Sequence, residues 1–181
     1  IEQDLSKLLN TNVKINFLDE NTKIEKIFSK FKNITEYIDE RKLKITNFKE
    51  SPQLLQTNNT AKTSSYKYKF SSLRSNCRVT HQPDFGDAFI YYKSKKHIDE
   101  GSLVAYLTSF RSEYHFHEEC CEMIFKRLSD LLEIDDGLLV CTLYTRRGGI
   151  DINPLRYKNC KLNNIKMFED MEKLTRNGLK Q

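Results

Sequence analysis

No run of 18 apolar residues occurs in this chain of 181, so no membrane-crossing helix is expected. The chain does not open on a charged stretch followed by an apolar one, and no secretory signal is expected. Its first residue is Ile1 instead of Met, which reads as a processed or truncated start. Arg-Gly-Gly runs, an RNP-type strand and zinc-finger spacing are all missing, so direct binding to nucleic acid is not expected. The net charge of +5 comes from scattered lysines and reads as a solvated surface with a site for a small anionic ligand. The pattern G-x-G-x-x-G is absent as well, so any nucleotide would be held in another way. The five cysteines, Cys77, Cys120, Cys121, Cys141 and Cys160, make an odd set. Free thiols in a reducing cytoplasm are expected in place of a disulfide framework.

What is present is 38% apolar and 30% charged residues, a modest core within one ordinary domain or two small ones. Residues 1–9 read as a short helix. Val13, Ile15 and Phe17 alternate with polar residues as a half-buried strand would. Ile24, Ile27, Phe28 and Phe31 are spaced like one face of a helix, and a second alternating strand is predicted over Leu43 to Phe48. Residues 51–65, rich in Ser, Thr, Asn and Gln, read as a linker and the domain boundary. Strands are then predicted from Tyr66 toward Cys77 and over Ala88 to Tyr92. Leu103, Leu107 and Phe110 mark a helix capped by Asp99, and Cys120, Ile124, Leu128 and Leu131 mark another that stops near Gly137. Strands over Leu138 to Thr145 and Ile150 to Ile152 complete the order strand, strand, helix, helix, strand, strand. An α+β fold follows, an antiparallel sheet with two helices packed on one face.

Three segments gather reactive residue types. In Ser75–Gly86, Cys77 ends a strand beside Arg78 and near His81, where a depressed thiol pKa is plausible. Pro83 and Gly86 would make a tight turn that holds Asp84 back over the thiol. A sulfur nucleophile with a proton donor suits an electrophile such as a nitrile or an activated carbonyl; an inert buried cysteine beside a polar turn is the plainer alternative. In His115–Cys121, two histidines and two cysteines invite a zinc reading, yet on a helix only His117 and Cys121 share a face. A His117–Glu118 pair at a helix N-terminus also suits a purine-like edge, while a capping carboxylate beside a satisfied histidine is the simpler possibility. In Tyr144–Pro154, Arg146 and Arg147 precede Gly148 and Gly149, offering guanidinium forks and backbone N–H groups to a phosphate, or forming a basic hairpin turn.

Together the segments SNCRVTHQPDFG, SFRSEYHFHEEC and YTRRGGIDINP resemble, in order, the QueF family of NADPH-dependent 7-cyano-7-deazaguanine reductases. The resemblance is clear over residues 73–157, with residues 1–55 similar to the end of the first of two tandem tunnelling-fold (T-fold) domains and 56–181 to the catalytic one. It implies reduction of a nitrile to an aminomethyl group with NADPH, in the queuosine pathway of tRNA modification, with a homodimer and no metal. Carried over, Cys77 would form a covalent thioimide with 7-cyano-7-deazaguanine and Asp84 would protonate its nitrile nitrogen. His117 and Glu118 would hold the base, and Arg147 and Gly148 would contact NADPH. Phe85 and Leu155 stand where the family usually has Trp, and the family's ESKSxKLY-type motif is not in the chain, which is therefore expected to be a fragment. The competing readings are a QueF-like amidinotransferase, a zinc cyclohydrolase-like enzyme built on Cys77, His117 and Cys120, and a non-catalytic RNA-binding domain.

Overall fold

A computed structural model describes residues 1–15, 17, 28, 30–39, 41–133 and 135–160. Helix α1 (Glu2–Leu9) comes first, then β1 (Lys32–Asn33), β2 (Thr57–Asn76) and β3 (Pro83–Ile98). They are followed by α2 (Glu100–Thr108), α3 (His117–Leu131), β4 (Gly137–Tyr144) and β5 (Leu155–Lys158). The strands form one sheet in the order β1-β2-β3-β4-β5. All pairings are antiparallel except β1 with β2, which is parallel. The α+β class is therefore as expected, and the sheet is mixed at its first edge. No helix among the described residues is long and apolar enough to cross a membrane.

The two predicted helical stripes supply the main core. Leu103, Leu107 and Phe110 from one, and Cys120, Ile124 and Leu128 from the other, are fully buried against Tyr68, Ile90, Tyr92, Leu138 and Val140 of the sheet. Asp99 caps α2 as expected, accepting from the Ser102 N–H at 2.7 Å. The opposite sheet face buries Phe89, Leu139, Cys141 and Leu143 beneath Phe28 and Phe31, with Phe28 stacked on Phe89 at 3.8 Å. Ile34 and Leu55 belong to the main core. The helix expected over residues 24–31 falls largely outside the described residues; Phe28 and Phe31 reach the sheet from a turn.

Several expectations are corrected. Residues 13–15 and 17 form no strand: the Val13 and Ile15 N–H groups donate to Ser6 Oγ and Glu2 Oε1 of α1, and Phe17 is exposed. Residues 43–48 form none either; the segment is pinned by the Ser112 N–H donating to the Phe48 carbonyl at 2.9 Å. Alternation records which way side chains face and is silent on whether a partner strand exists. The supposed linker 51–65 is a short 3₁₀ turn, Pro52–Leu54, and then the first half of β2, paired from Thr57 opposite Ile98. Its Ser and Thr content hides a strand whose outer positions face water, with a bulge between Asn59 and Ser64. The last strand among the described residues is Leu155–Lys158, not Ile150–Ile152. Pro154, which has no N–H to give, lends only its carbonyl to Thr142 at 3.0 Å.

Candidate active site

Strands β2 and β3 meet in a six-residue connection that starts at Cys77, with Asn76 opposite Pro83 and Ser75 opposite Asp84. The connection closes on itself. The Cys77 N–H donates to the Gln82 carbonyl at 2.8 Å, and the His81 N–H donates to the Cys77 carbonyl at 2.9 Å. The Thr80 N–H approaches Cys77 Sγ at 3.5 Å. The half-buried Cys77 thiol is pulled down to about 7, first by the Thr80 side chain, then by the Thr80 and Val79 N–H groups, with the Arg147 charge adding to them against desolvation. A thiolate is thus held as a nucleophile near neutral pH.

The source of that depression differs from the expected one. Arg78 is turned to α3, where its Nη1 lies 3.0 Å from Glu119 Oε1, and His81 packs edge-on against Tyr114. Pro83 and Gly86 also form no turn; both lie within β3. Gly86 is instead a point of close approach. A methyl group there would come within 3.0 Å of the Leu143 carbonyl and of the Tyr144 ring.

Asp84 is the most buried charged residue of the region, at 1% exposure. Its Oδ1 takes the Arg147 guanidinium and its Oδ2 lies 3.2 Å from His117 Nε2. A carboxylate so deeply buried needs such partners. His117, the first residue of α3, is stacked on the buried Tyr144 ring at 4.0 Å and 8°. Burial lowers the His117 pKa, against an upward pull from Glu118. With burial the larger of the two, the neutral imidazole is favoured at neutral pH.

Glu118 is exposed and lines an open cleft of about 350 Å³ with Arg78, His115, Glu119, Glu122 and Met123. Arg147 begins a tight hairpin closed by paired backbone bonds to Ile150 at 3.0 and 3.1 Å. Gly148 and Gly149 take positive φ of 59° and 81°, the conformation that favours glycine in such turns. Apart from the adjoining residues, no atom lies within 4 Å of a methyl group placed on either glycine, so the turn borders open space on that side. Arg146 is held by Asp151, with Nε 2.9 Å from Oδ1.

Cys77, Asp84, His117 and Arg147 therefore come to one end of the sheet, with Arg147 joining the thiol's field to the carboxylate. Glu118 borders the adjoining cleft and Gly148 the hairpin. Sequence reasoning gave no role to Tyr144, which fixes the His117 ring, or to Thr80, which tunes the thiol; only their position within the motifs could have pointed to them. Of the two cysteines in the zinc alternative, Cys120 is fully buried, its thiol pushed up by burial. Among the described residues no group of three or more His, Cys, Asp and Glu side chains gathers as a metal site.

Residues 83–163 match the family described as QueF-like protein. The chain is 36% identical over 159 residues to the NADPH-dependent 7-cyano-7-deazaguanine reductase of Colwellia psychrerythraea, covering 86% of this chain and 55% of that protein. The enzyme of the same name from Buchnera aphidicola is 42% identical over 119 residues, 66% of this chain and 45% of that one. That of Coxiella burnetii is 37% identical over 161 residues, 88% and 55% respectively. The chain thus spans about half the length of the curated relatives it matches. Among solved structures, the apo form of the archaeosine synthase QueF-Like aligns with a TM-score of 0.46 and 12% identity, over 54% of this chain and 94% of that one.

Proposed function

We propose, from the match of residues 83–163 to the QueF-like family, that the chain forms the catalytic part of an NADPH-dependent reductase acting on 7-cyano-7-deazaguanine. The observation that carries the reading is that one arginine, Arg147, holds the buried Asp84 and also lowers the Cys77 thiol, which ionises at about 7, at the same end of the sheet. A nitrile carbon is a soft electrophile that a thiolate attacks readily, provided its nitrogen receives a proton.

As Arg147 turns from Asp84 to the cofactor phosphate, the freed carboxylate takes the Cys77 thiol proton, Sγ adds to the nitrile carbon, one C–N π bond breaks, and Asp84 passes that proton to the nitrogen to give a thioimide. Asp84 is then reprotonated from solvent through His117, whose Nε2 lies 3.2 Å away. NADPH would supply one hydride from each of two molecules bound in turn, which with two protons balances the four-electron reduction, and the Cys77 thiolate would leave between them, as the adduct collapses to an imine that takes the second hydride. Glu118, on the cleft beside His117, accepts hydrogen bonds from the ring N–H and amino groups of the deazaguanine. The Arg146–Gly149 hairpin suits a dinucleotide phosphate, since its glycine turn borders open space and two arginines precede the glycines. Arg147 and Gly148 are the cofactor contacts in this reading, with Arg147 passing from Asp84 to the phosphate.

The T-fold, a homodimer, a cytoplasmic location and a place in queuosine formation are parts of the same proposal. Intact mass spectrometry after incubation with 7-cyano-7-deazaguanine tests it. One adduct of the substrate's mass, absent in Cys77→Ala, and two NADPH oxidised per nitrile consumed are expected. An adduct without NADPH oxidation would instead indicate an amidinotransferase, and a fully active Cys77→Ala would overturn the nucleophile.

A further inference from the structure

Cys77 stands between two residues that are each tied to the stretch of chain leading into α3. On one side Asn76 is 7% exposed. Its N–H donates to the Glu113 carbonyl at 2.8 Å, and its carbonyl accepts from the His115 N–H at 3.0 Å. Its side-chain Nδ2 donates to the Arg111 carbonyl at 3.2 Å and toward that of Glu113 at 3.4 Å. Its Oδ1 accepts from Arg74 Nη2 at 3.2 Å. On the other side Arg78 reaches Glu119 Oε1 at 3.0 Å and lies over the Phe116 ring at 5.4 Å. Glu119 is itself fixed, its Oε2 accepting from the Phe116 N–H at 2.8 Å.

None of these contacts is needed to form the thiol's own turn, which is closed by the Cys77–Gln82 and His81–Cys77 bonds. What they do is fix where that turn stands relative to residues 111–119, and so relative to His117 and Glu118. We propose that Asn76 and Arg78 are positioning residues that hold the Cys77 thiol at bonding distance from a substrate seated on His117 and Glu118. The inference rests on the reading of Cys77 as nucleophile and of His117 and Glu118 as the substrate's partners. Its signature is a fall in the bond-forming rate with the thiol's ionisation untouched, because neither residue is among the groups that set that ionisation.

The test compares the unaltered chain with Asn76→Ala, Arg78→Ala and Arg78→Lys. Arg78 is half exposed, so truncating it should cost the fold little; Asn76→Ala keeps both backbone bonds. Three quantities are read: the pH midpoint of Cys77 alkylation by iodoacetamide, the rate and half-saturation of adduct formation with 7-cyano-7-deazaguanine, and peptide-level hydrogen exchange. The expected result is an unmoved alkylation midpoint and little change in half-saturation. The maximal adduct rate falls roughly ten- to a hundredfold, the scale of a misplacement of up to about 1 Å. Exchange rises over residues 76–82 and 111–119 alone, and Arg78→Lys recovers much of the loss. Adduct rates within twofold of the unaltered chain in both alanine variants overturn the proposal. So does an alkylation midpoint that moves with the rate, or exchange that rises throughout. If the unaltered chain forms no adduct, the nucleophile reading fails and the positioning role with it; if it does and the variants match it, only the positioning role fails.

Discussion

Gly86→Ala should damage the site from a distance. The added methyl would sit 3.0 Å from the Leu143 carbonyl oxygen, 3.0 Å from Tyr144 Cδ1 and 3.2 Å from its Cγ. The carbonyl belongs to the β3–β4 ladder, where Gly86 faces Tyr144, and cannot yield without breaking pairing. The ring must therefore move, and it is fully buried. Overpacking of this kind costs about 1–3 kcal/mol. With a urea dependence of about 2 kcal/mol per molar, the unfolding midpoint should drop by roughly 0.5–1.5 M. The displaced ring is the one stacked on His117 at 4.0 Å, so His117 shifts against Asp84 and adduct formation slows by about tenfold or more. Urea titration followed by far-UV circular dichroism reads the first effect, and intact mass spectrometry against time reads the second. A variant with an unmoved midpoint and an unchanged adduct rate would refute the packing chain from Gly86 through Tyr144 to His117.

Further outcomes are expected. Alkylation of Cys77 should reach half its maximal rate near pH 7, and Thr80→Val should move that midpoint upward, toward an ordinary thiol; an unmoved midpoint excludes Thr80 as the main cause. His117 has a native pKa below its free value of 6.5, so as pH falls the unfolded chain takes the proton first. Stability present above about 6.5 is then lost as pH falls toward the lower native value, a slope that His117→Phe should flatten in urea titrations at stepped pH. Ile34 is fully buried in the main core, so Ile34→Ala should cost about 2–5 kcal/mol. A loss below about 0.5 kcal/mol would mean that residues 28–55 do not stabilise the sheet they pack on.

Legibility in the sequence followed the physics of each segment. The stripes of Leu103, Leu107 and Phe110 and of Cys120, Ile124 and Leu128 were readable because burial on one helix face imposes a 3.6-residue repeat. The Thr57–Ser65 half of β2 was not, because its pairing is made by backbone groups and its side chains mostly face water. Residues 43–48 erred in the opposite sense, with strand-like alternation and no strand to pair with. In the site, Cys77, Asp84, His117 and Arg147 could be picked out as types. Their partners could not: Arg78 stands next to Cys77 in sequence yet serves Glu119, while Arg147, far along the chain, serves Asp84.

What joins them is register. Along the start of β3, Asp84 is buried, Phe85 is 48% exposed and Gly86 is buried again, so this stretch alternates strictly. Asp84 faces inward because Ser75 of β2 lies opposite it and because Gly86, two residues on, lies opposite Tyr144 of β4. A slip of one residue in either ladder would turn every side chain to the other face. The carboxylate would then leave His117 and Arg147, and Phe85 would enter the core. The tight contact at Gly86 opposes that slip, since Phe85 or Asp87 brought opposite Tyr144 would place a Cβ and more where a methyl group already meets atoms at 3.0 Å. The acid is thus held in place by a glycine that touches no substrate. The same close approach that makes Gly86 intolerant of a side chain is what keeps Asp84 on the face where Cys77 and His117 can use it.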